Sequence, residues 1–240
     1  MAWTPTLWSP SSMNTLPSSK SVPHLDARLS AAAEFVRPGG IAADIGCDHG
    51  KLSAWLVGSG RCPLVFACDL RPDPLSKARR ACAPYGDKVQ FRLGSGLEVL
   101  RPGEVTDIVI AGMGAQTIME ILEAAPWVFD PAYNLVLVPA TKHSLLRRWL
   151  AVKGFTLQGE TLAHAAGRWY AVMNARYTGN PHTPTGLWCL CGLVQGQPGA
   201  EEYRAQQAGK LKKYRRGLPD GPEADGVDAL IAEVEAGKWP

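Results

Sequence analysis

Apolar positions in this chain fall into two alternating patterns. Short continuous apolar runs closed by glycine, proline or aspartate alternate with stretches whose apolar residues recur three and four apart. Leu25, Leu29, Ala32, Ala33 and Val36 share the helical spacing, so residues 25–36 are predicted to form an amphipathic helix, stopped by Pro38-Gly39-Gly40. Residues 41–45 read as a short buried strand, 52–57 as a helix, and 64–68 as a second strand closed by Asp69. A helix over 74–83 carries Lys77, Arg79 and Arg80 on one side. Strands follow at 89–93, 107–111 and 134–138, with helices at about 117–124 and at 145–152. Residues 156–162 and 168–177 read as a closing strand pair. Strands alternating with helices through short connections predict an α/β fold with a doubly wound, mostly parallel sheet.

The texture changes after residue 177. Pro181 and Pro184 mark 178–185 as a linker. Tyr203, Leu211, Tyr214 and Leu218 can share one helical face, and Val227, Leu230, Ile231 and Val234 another. A Pro/Gly turn at 219–222 would fold the two into an antiparallel helical hairpin. The expected organisation is a Ser/Pro/Thr-rich disordered leader over 1–23, a main domain over 24–179, and a linker with C-terminal hairpin over 180–240.

Composition narrows this only a little. At 46% hydrophobic and 20% charged residues the chain is globular, and a net charge of +3 permits a nucleic-acid partner without demanding one. The six cysteines match no zinc spacing and sit in apolar or helical contexts, so no metal site and no structural disulfide are expected, and the protein is read as intracellular and cytoplasmic. No apolar run reaches the length of a membrane span, and the first residues lack the charged start and apolar core of a signal peptide. Nothing in the pattern implies an obligate protein partner.

Candidate chemistry gathers at strand ends. Asp44, Gly46, Asp48 and Gly50 lie within seven residues after the first strand. The spacing Asp-x-Gly-x-x-x-Gly puts a carboxylate where a pyrophosphate-binding loop has its first glycine. It repels a diphosphate, arguing against a nicotinamide-dependent dehydrogenase, and suits a ligand with an ammonium and hydroxyls, such as S-adenosylmethionine. The competing reading is an ordinary glycine-rich turn. Asp69 lies 19 residues beyond Gly50, at the end of the second strand, where nucleoside-binding folds place an acid on the ribose. It also reads as a turn or helix-capping Asp. Gly94-Ser95-Gly96 and Gly112-Met113-Gly114 end the third and fourth strands and let backbone approach a flat ring closely. Ligands of such sheets bind beyond the C-terminal strand ends, so these loops are expected to converge on one crevice. Arg28 is a candidate for the cofactor carboxylate, with an ordinary surface arginine as the alternative. His49, at the start of a buried helix, is read as structural.

The segments Ala-Asp-Ile-Gly-Cys-Asp-His-Gly (43–50), Arg-Leu-Gly-Ser-Gly-Leu-Glu-Val (92–99) and Ile-Val-Ile-Ala-Gly-Met-Gly (108–114) resemble the bacterial tRNA adenine-N1 methyltransferases that act on adenine 22, the TrmK-like family. The resemblance extends in order over about 25–179, and the C-terminal hairpin matches the family's appended helical domain. It implies a seven-stranded Rossmann-like sheet of class I methyltransferase type with an antiparallel last strand, S-adenosylmethionine as cofactor and tRNA as substrate. By position, Asp44, Gly46 and Gly50 would line the cofactor's methionine part, and Asp69 would hold the ribose. Gly94 and Ser95 would lie by the adenine, with Gly112 and Met113 near the reacting methyl. Asp48 would contact the substrate adenine and stabilise the positive charge that N1 alkylation creates. Its alternative is a helix N-cap.

Lys142, Arg147, Arg148 and the run Lys210, Lys212, Lys213, Arg215 and Arg216 are candidate tRNA phosphate contacts. The run reads equally as a solvated helix face, though the interleaved tyrosines favour RNA. The chain departs from the family pattern at Val138 and Ala140, where the family has Gln and Asn, at Ala115 for Gly, and at Ser95 for Asp. Two rival functions follow: the same fold with another methyl acceptor, or a non-catalytic RNA-binding relative.

Overall fold

The computed structural model describes residues 22–240, so the leader expected over 1–23 lies, save its last two residues, outside them. The hydrophobic pattern translates into α1 (Ala27–Phe35), β1 (Ala42–Ile45), α2 (Lys51–Gly58), β2 (Val65–Asp69), α3 (Pro72–Cys82), β3 (Val89–Leu93), β4 (Asp107–Ala111), α4 (Ala115–Glu123), β5 (Asn134–Val138), α5 (His143–Val152), β6 (Phe155–Ala165) and β7 (Arg168–Tyr177). Three more helices follow: α6 (Gly186–Cys191), α7 (Ala200–Arg215) and α8 (Pro222–Glu235). The sheet has seven strands in the order β3-β2-β1-β4-β5-β7-β6. The first five are mutually parallel, and β7 runs antiparallel to both β5 and β6. This is the expected Rossmann-like arrangement. The chain winds outward from β1 in one direction, then restarts at β4 and winds the other way. That reversal opens a crevice at the C-terminal ends of β1 and β4.

β1, β2 and β5 are buried at every position, because helices cover both faces of the sheet. Alternate residues serve opposite cores: Ile108 and Ile110 of β4 face one cluster with Leu135, Leu137 and Trp149, while Val109 faces the other with Val65, Ala67 and Val136. The second cluster is lined by Ala32, Ala33, Ala54 and Ala78, whose small side chains let α1, α2 and α3 seat close to the strands. At the end of the sheet away from the crevice, the buried Asp107 carboxylate accepts from the Arg37 backbone N–H at 3.0 Å and from Asn134 Nδ2 at 2.7 Å.

The C-terminal region is tied into this body. Helix α6 was not anticipated: six residues with Leu, Trp, Cys, Leu and Cys give no polar face to read. It is held by Arg147, whose side chain is wholly buried. Arg147 Nη1 donates to the carbonyls of Cys189 at 2.8 Å and Leu190 at 2.9 Å. Nε and Nη2 donate to Glu160 Oε1 at 2.9 and 2.7 Å, and Nη2 also donates to the Tyr203 hydroxyl at 2.9 Å. Tyr203 is fully buried and stacks on His143 with centroids 5.8 Å apart. The expected phosphate role of Arg147 is therefore corrected: its guanidinium is spent inside the protein. On the expected face of α7, Tyr203 is buried in the main core, whereas Tyr214, about three turns further on, is half exposed and donates to Glu223 at 2.6 Å. Helices α7 and α8 do form the expected hairpin, with Ala208 and Val234 in a small core beside Leu187 and Leu190.

Candidate functional site

A cavity of about 880 Å³ opens at the crevice between the two halves of the sheet. Its wall contains Asp44, Gly46, Asp48, Asp69, Gly94, Ser95, Gly112 and Met113, drawn from the ends of β1, β2, β3 and β4, together with Arg28 from α1. These residues are scattered over the first half of the chain, and the topology alone brings them together.

Asp44 lies at the floor. Its side chain is buried and accepts from Ser53 Oγ at 2.7 Å. Desolvation dominates there and pushes its carboxyl up to about 6, the Ser53 bonds opposing and nearby Asp69 and Asp48 adding a little. No cation lies among its partners within the described residues. Gly46 has φ +75, and a Cβ there would stand 2.3 Å from the Met113 ε-methyl. Glycine thus lets the loops after β1 and β4 close on each other, with Met113 across the cavity floor.

Asp69 is buried at the end of β2. Its Oδ1 accepts from the Arg71 backbone N–H at 2.9 Å and its Oδ2 from the Asp48 N–H at 3.2 Å. The acid thus orders the first loop while keeping lone pairs for a ligand. Asp48 has φ +49, a left-handed conformation uncommon outside glycine. The N-cap of α2 is Gly50, at φ +69, so the capping alternative for Asp48 falls. Its carboxylate is exposed at the cavity mouth, where it meets His49 Nδ1 at 2.7 Å.

Two sequence expectations change here. Gly50 does not border the cavity: it faces α3, where a Cβ would lie 2.9 Å from the Ala78 Cβ and 3.1 Å from the Cys82 sulfur. Its role is helix entry and packing. His49, read as structural at the start of a buried helix, has a side chain 50% exposed and belongs to the cavity wall.

Sequence reasoning also missed wall residues. Leu70, directly after Asp69, is 66% exposed, and Leu97 and Ile121 face the same cavity. Together they give a partly apolar slot beside Gly94–Gly96. A large exposed leucine next to a buried acid could have been suspected from the pair Asp69-Leu70. Lys51 and Glu120 are further wall residues without a motif to flag them.

Arg28 lies partly buried, its Nη2 donating to Asp26 Oδ2 at 2.8 Å, and its Nη1 would stand 3.8 Å from a Cβ at Gly112. The loops after β4 and β5 are zipped by main-chain bonds: Gly112 N–H to Val138 O at 2.9 Å, Ala140 N–H to Met113 O at 2.7 Å and Ala115 N–H to Thr141 O at 3.3 Å. Val138 and Pro139 are buried. The departures at Val138 and Ala140 therefore leave intact the backbone bonds that fix Met113.

Among the basic residues, Lys142 and Arg148 are exposed near this end of the sheet. On α7, Lys212 pairs with Glu235, and Arg215 with Asp228 at 2.9 Å and Asp220 at 3.1 Å. Lys210, Lys213 and Arg216 have no acidic partner among the described residues. The run is thus half hairpin glue and half free charge. The six cysteines are free and buried, no group of metal-ligating side chains occurs among the described residues, and no described helix is long and apolar enough to cross a membrane.

Comparison with known proteins agrees with this geometry. Residues 25–173 match the family model of a methyltransferase domain. The chain is 31% identical to the tRNA (adenine(22)-N(1))-methyltransferase of Bacillus subtilis, over 81% of each protein. The crystal structure of the B. subtilis enzyme, TrmK, superposes with a TM-score of 0.75 at 25% identity, covering 88% of this chain and 96% of that one. A Streptococcus pneumoniae relative crystallised with S-adenosyl-L-methionine superposes with a TM-score of 0.76 at 25% identity, covering 89% and 99%. With the fold, the strand-end loops and the sequence in accord, the chain belongs to the tRNA (adenine(22)-N(1))-methyltransferase family.

Proposed function

We propose that this protein transfers the methyl group of S-adenosylmethionine to N1 of adenine 22 in tRNA, acting in the cytoplasm. The observation that carries the reading is the pairing of two buried acids, Asp44 and Asp69, at the sheet's reversal point with an exposed acid, Asp48, at the mouth. Asp44 is a desolvated carboxylate at the cavity wall with no cation paired to it among the described residues, and an ammonium seated there would supply the missing charge. Asp69 has acceptor capacity left for ribose hydroxyls. Leu70, Leu97 and Ile121 offer apolar contact to an adenine ring. Arg28 suits a carboxylate. The donor set therefore fits S-adenosylmethionine.

When bound, the cofactor supplies an electrophilic methyl group. The residues of this chain hold and orient. Met113 and Gly46 close the floor, and Asp48 lies at the mouth. The adenine N1 lone pair needs no general base, so positioning and charge stabilisation do the catalytic work. Asp48 is the group for that charge. Its left-handed backbone and its N–H bond to Asp69 fix the loop, and His49 Nδ1 steadies its carboxylate. Because N1 lies on the Watson–Crick edge, the target base must be unpaired on entry. Lys142, Arg148, Lys210, Lys213 and Arg216 supply free positive charge for the tRNA backbone, with Lys212 and Arg215 divided between RNA and the acids of α8. The same fold with a different acceptor is the rival, resting on Ser95, Val138 and Ala140. The buried setting of Val138 weakens it, since that side chain does not reach the cavity. Incubating the protein with labelled S-adenosylmethionine and unmodified tRNA, then mapping the product, separates the two. N1-methyladenine at position 22 supports the reading, and label in another molecule alone overturns it.

A further inference from the structure

Beside the cavity, one tyrosine ring gathers two guanidiniums. Tyr170 is 3% exposed, with Arg28 Cζ at 5.0 Å and Arg168 Cζ at 4.7 Å from its ring centroid. Arg168 Nε also donates to the Tyr170 hydroxyl. Arg28 belongs to the cavity wall, whereas Arg168 is exposed at the start of β7. Since β7 is antiparallel to β5, its start lies at the C-terminal end of β5, the edge on which the cavity opens. A cationic stack therefore leads out of the cavity onto the surface.

Helix α7 brings a third cation to the same place. Gln206 clamps the helix to β7: its Oε1 accepts from the Trp169 N–H at 3.2 Å and its Nε2 donates to the Trp169 carbonyl at 3.3 Å. Lys210 is one helical turn further on the same side of α7. Its ammonium is pushed below the usual lysine range by partial desolvation and by the neighbouring charges of Arg168 and Arg147. Arg147 is neutralised by Glu160. Arg168 and Lys210 have no acidic partner among the described residues, unlike Lys212 and Arg215 on the same helix. Like charges pinned together by stacking and by a backbone clamp repel, and a bound anion relieves that repulsion. A guanidinium held against a ring still presents N–H groups at its edge, the geometry that suits phosphate oxygens.

We infer that Arg168 and Lys210, braced by Tyr170 and Gln206, form a seat for a phosphodiester of the RNA strand next to the adenine that enters the cavity. The inference rests on the tRNA reading above and adds to it a specific anchor on β7. Gripping the backbone beside the mouth holds the nucleotide out while its base is presented to Asp48.

The test uses the full chain carrying Arg168→Gln, Lys210→Gln or Arg168→Lys, with unmodified tRNA as probe. Melting temperature, S-adenosylmethionine affinity, and tRNA affinity at salt concentrations between about 50 and 200 mM are read for each. Arg168→Gln is expected to weaken tRNA binding about tenfold and to lower the slope of log affinity against log salt by about 0.7–0.9, the value of one phosphate contact. Cofactor affinity should stay within about twofold, and Arg168→Lys should retain most of the slope, because a point charge remains. Unchanged tRNA affinity and slope in a normally folded Arg168→Gln protein would overturn the seat. So would a parallel loss of tRNA binding, cofactor binding and melting temperature, which marks a packing role. If the wild-type protein itself binds no tRNA, the functional reading fails first and the seat with it.

Discussion

Replacing Arg147 by Met should cost the fold more than any surface arginine could. The guanidinium makes bonds to Glu160, to the Cys189 and Leu190 carbonyls and to the Tyr203 hydroxyl, and neither its side chain nor that of Glu160 reaches solvent. Without it, the Glu160 carboxylate stays buried with the Leu193 N–H at 2.8 Å as its remaining donor. Breaking a buried pair by removing one partner costs about 3–5 kcal/mol. For a domain of this size that lowers the melting temperature by about 6–20 °C, at about 2–4 °C per kcal/mol. Urea unfolding followed by tryptophan fluorescence measures it, with Glu160→Leu added to Arg147→Met expected to recover part of the loss, since no unpaired charge then remains. A loss under about 1 kcal/mol, accompanied by weaker tRNA binding, would refute the reasoning and return Arg147 to the surface role that its position in the sequence suggested.

Other consequences concern the cavity. Burial holds the Asp44 carboxyl at about 6, so between the ordinary value of 3.8 and 6 the folded chain keeps a proton that the unfolded chain releases. Stability of the cofactor-free protein should therefore fall as pH rises through this window, by up to roughly 3 kcal/mol from this group. Asp44→Asn should flatten that fall in urea unfolding series from pH 4 to 7.5, while weakening S-adenosylmethionine binding at least tenfold by calorimetry; a cofactor affinity equal to wild type would remove Asp44 from the site. Asp69→Ala should weaken cofactor binding by about 1.5–3 kcal/mol, since it removes a charged acceptor, and unchanged affinity would reject the ribose role. Cutting the chain before Gly186 removes Tyr203 and the carbonyl partners of Arg147, so the remainder should unfold readily and lose cofactor and tRNA binding together; a stable fragment that binds cofactor normally would show that the C-terminal region is independent.

The inner strands at 107–111 and 134–138 were legible because parallel strands covered on both faces are apolar throughout, and the edge strand at 89–93 and the antiparallel strand at 168–177 also begin and end where the pattern placed them. The convergence of the strand-end loops was legible too, because topology positions them regardless of side-chain detail. What escaped was set by tertiary contact. Nothing local distinguishes the buried Arg147 from the exposed Arg148 beside it; Glu160 and Tyr203, far along the chain, decide which one turns inward. Helix α6 has no amphipathic period because it is buried on most sides. Gly50 and Gly46 sit in one motif, yet one faces α3 and the other the cavity, a difference fixed by the neighbouring helix and by Met113. The tyrosines of α7 looked like an interleaved RNA surface, but Arg147 and His143 of α5 claim Tyr203.

We propose that these strand-end acids serve methyl transfer to adenine N1 in tRNA. The most direct test is a single-turnover reaction of the protein with S-adenosylmethionine and unmodified tRNA, the product located by nuclease mapping, run beside Asp48→Asn. One N1-methyladenine, at position 22, is expected, with a rate lowered at least tenfold in Asp48→Asn and cofactor affinity preserved. Tight cofactor binding with no methylated tRNA, or the same rate in Asp48→Asn, would contradict the proposal.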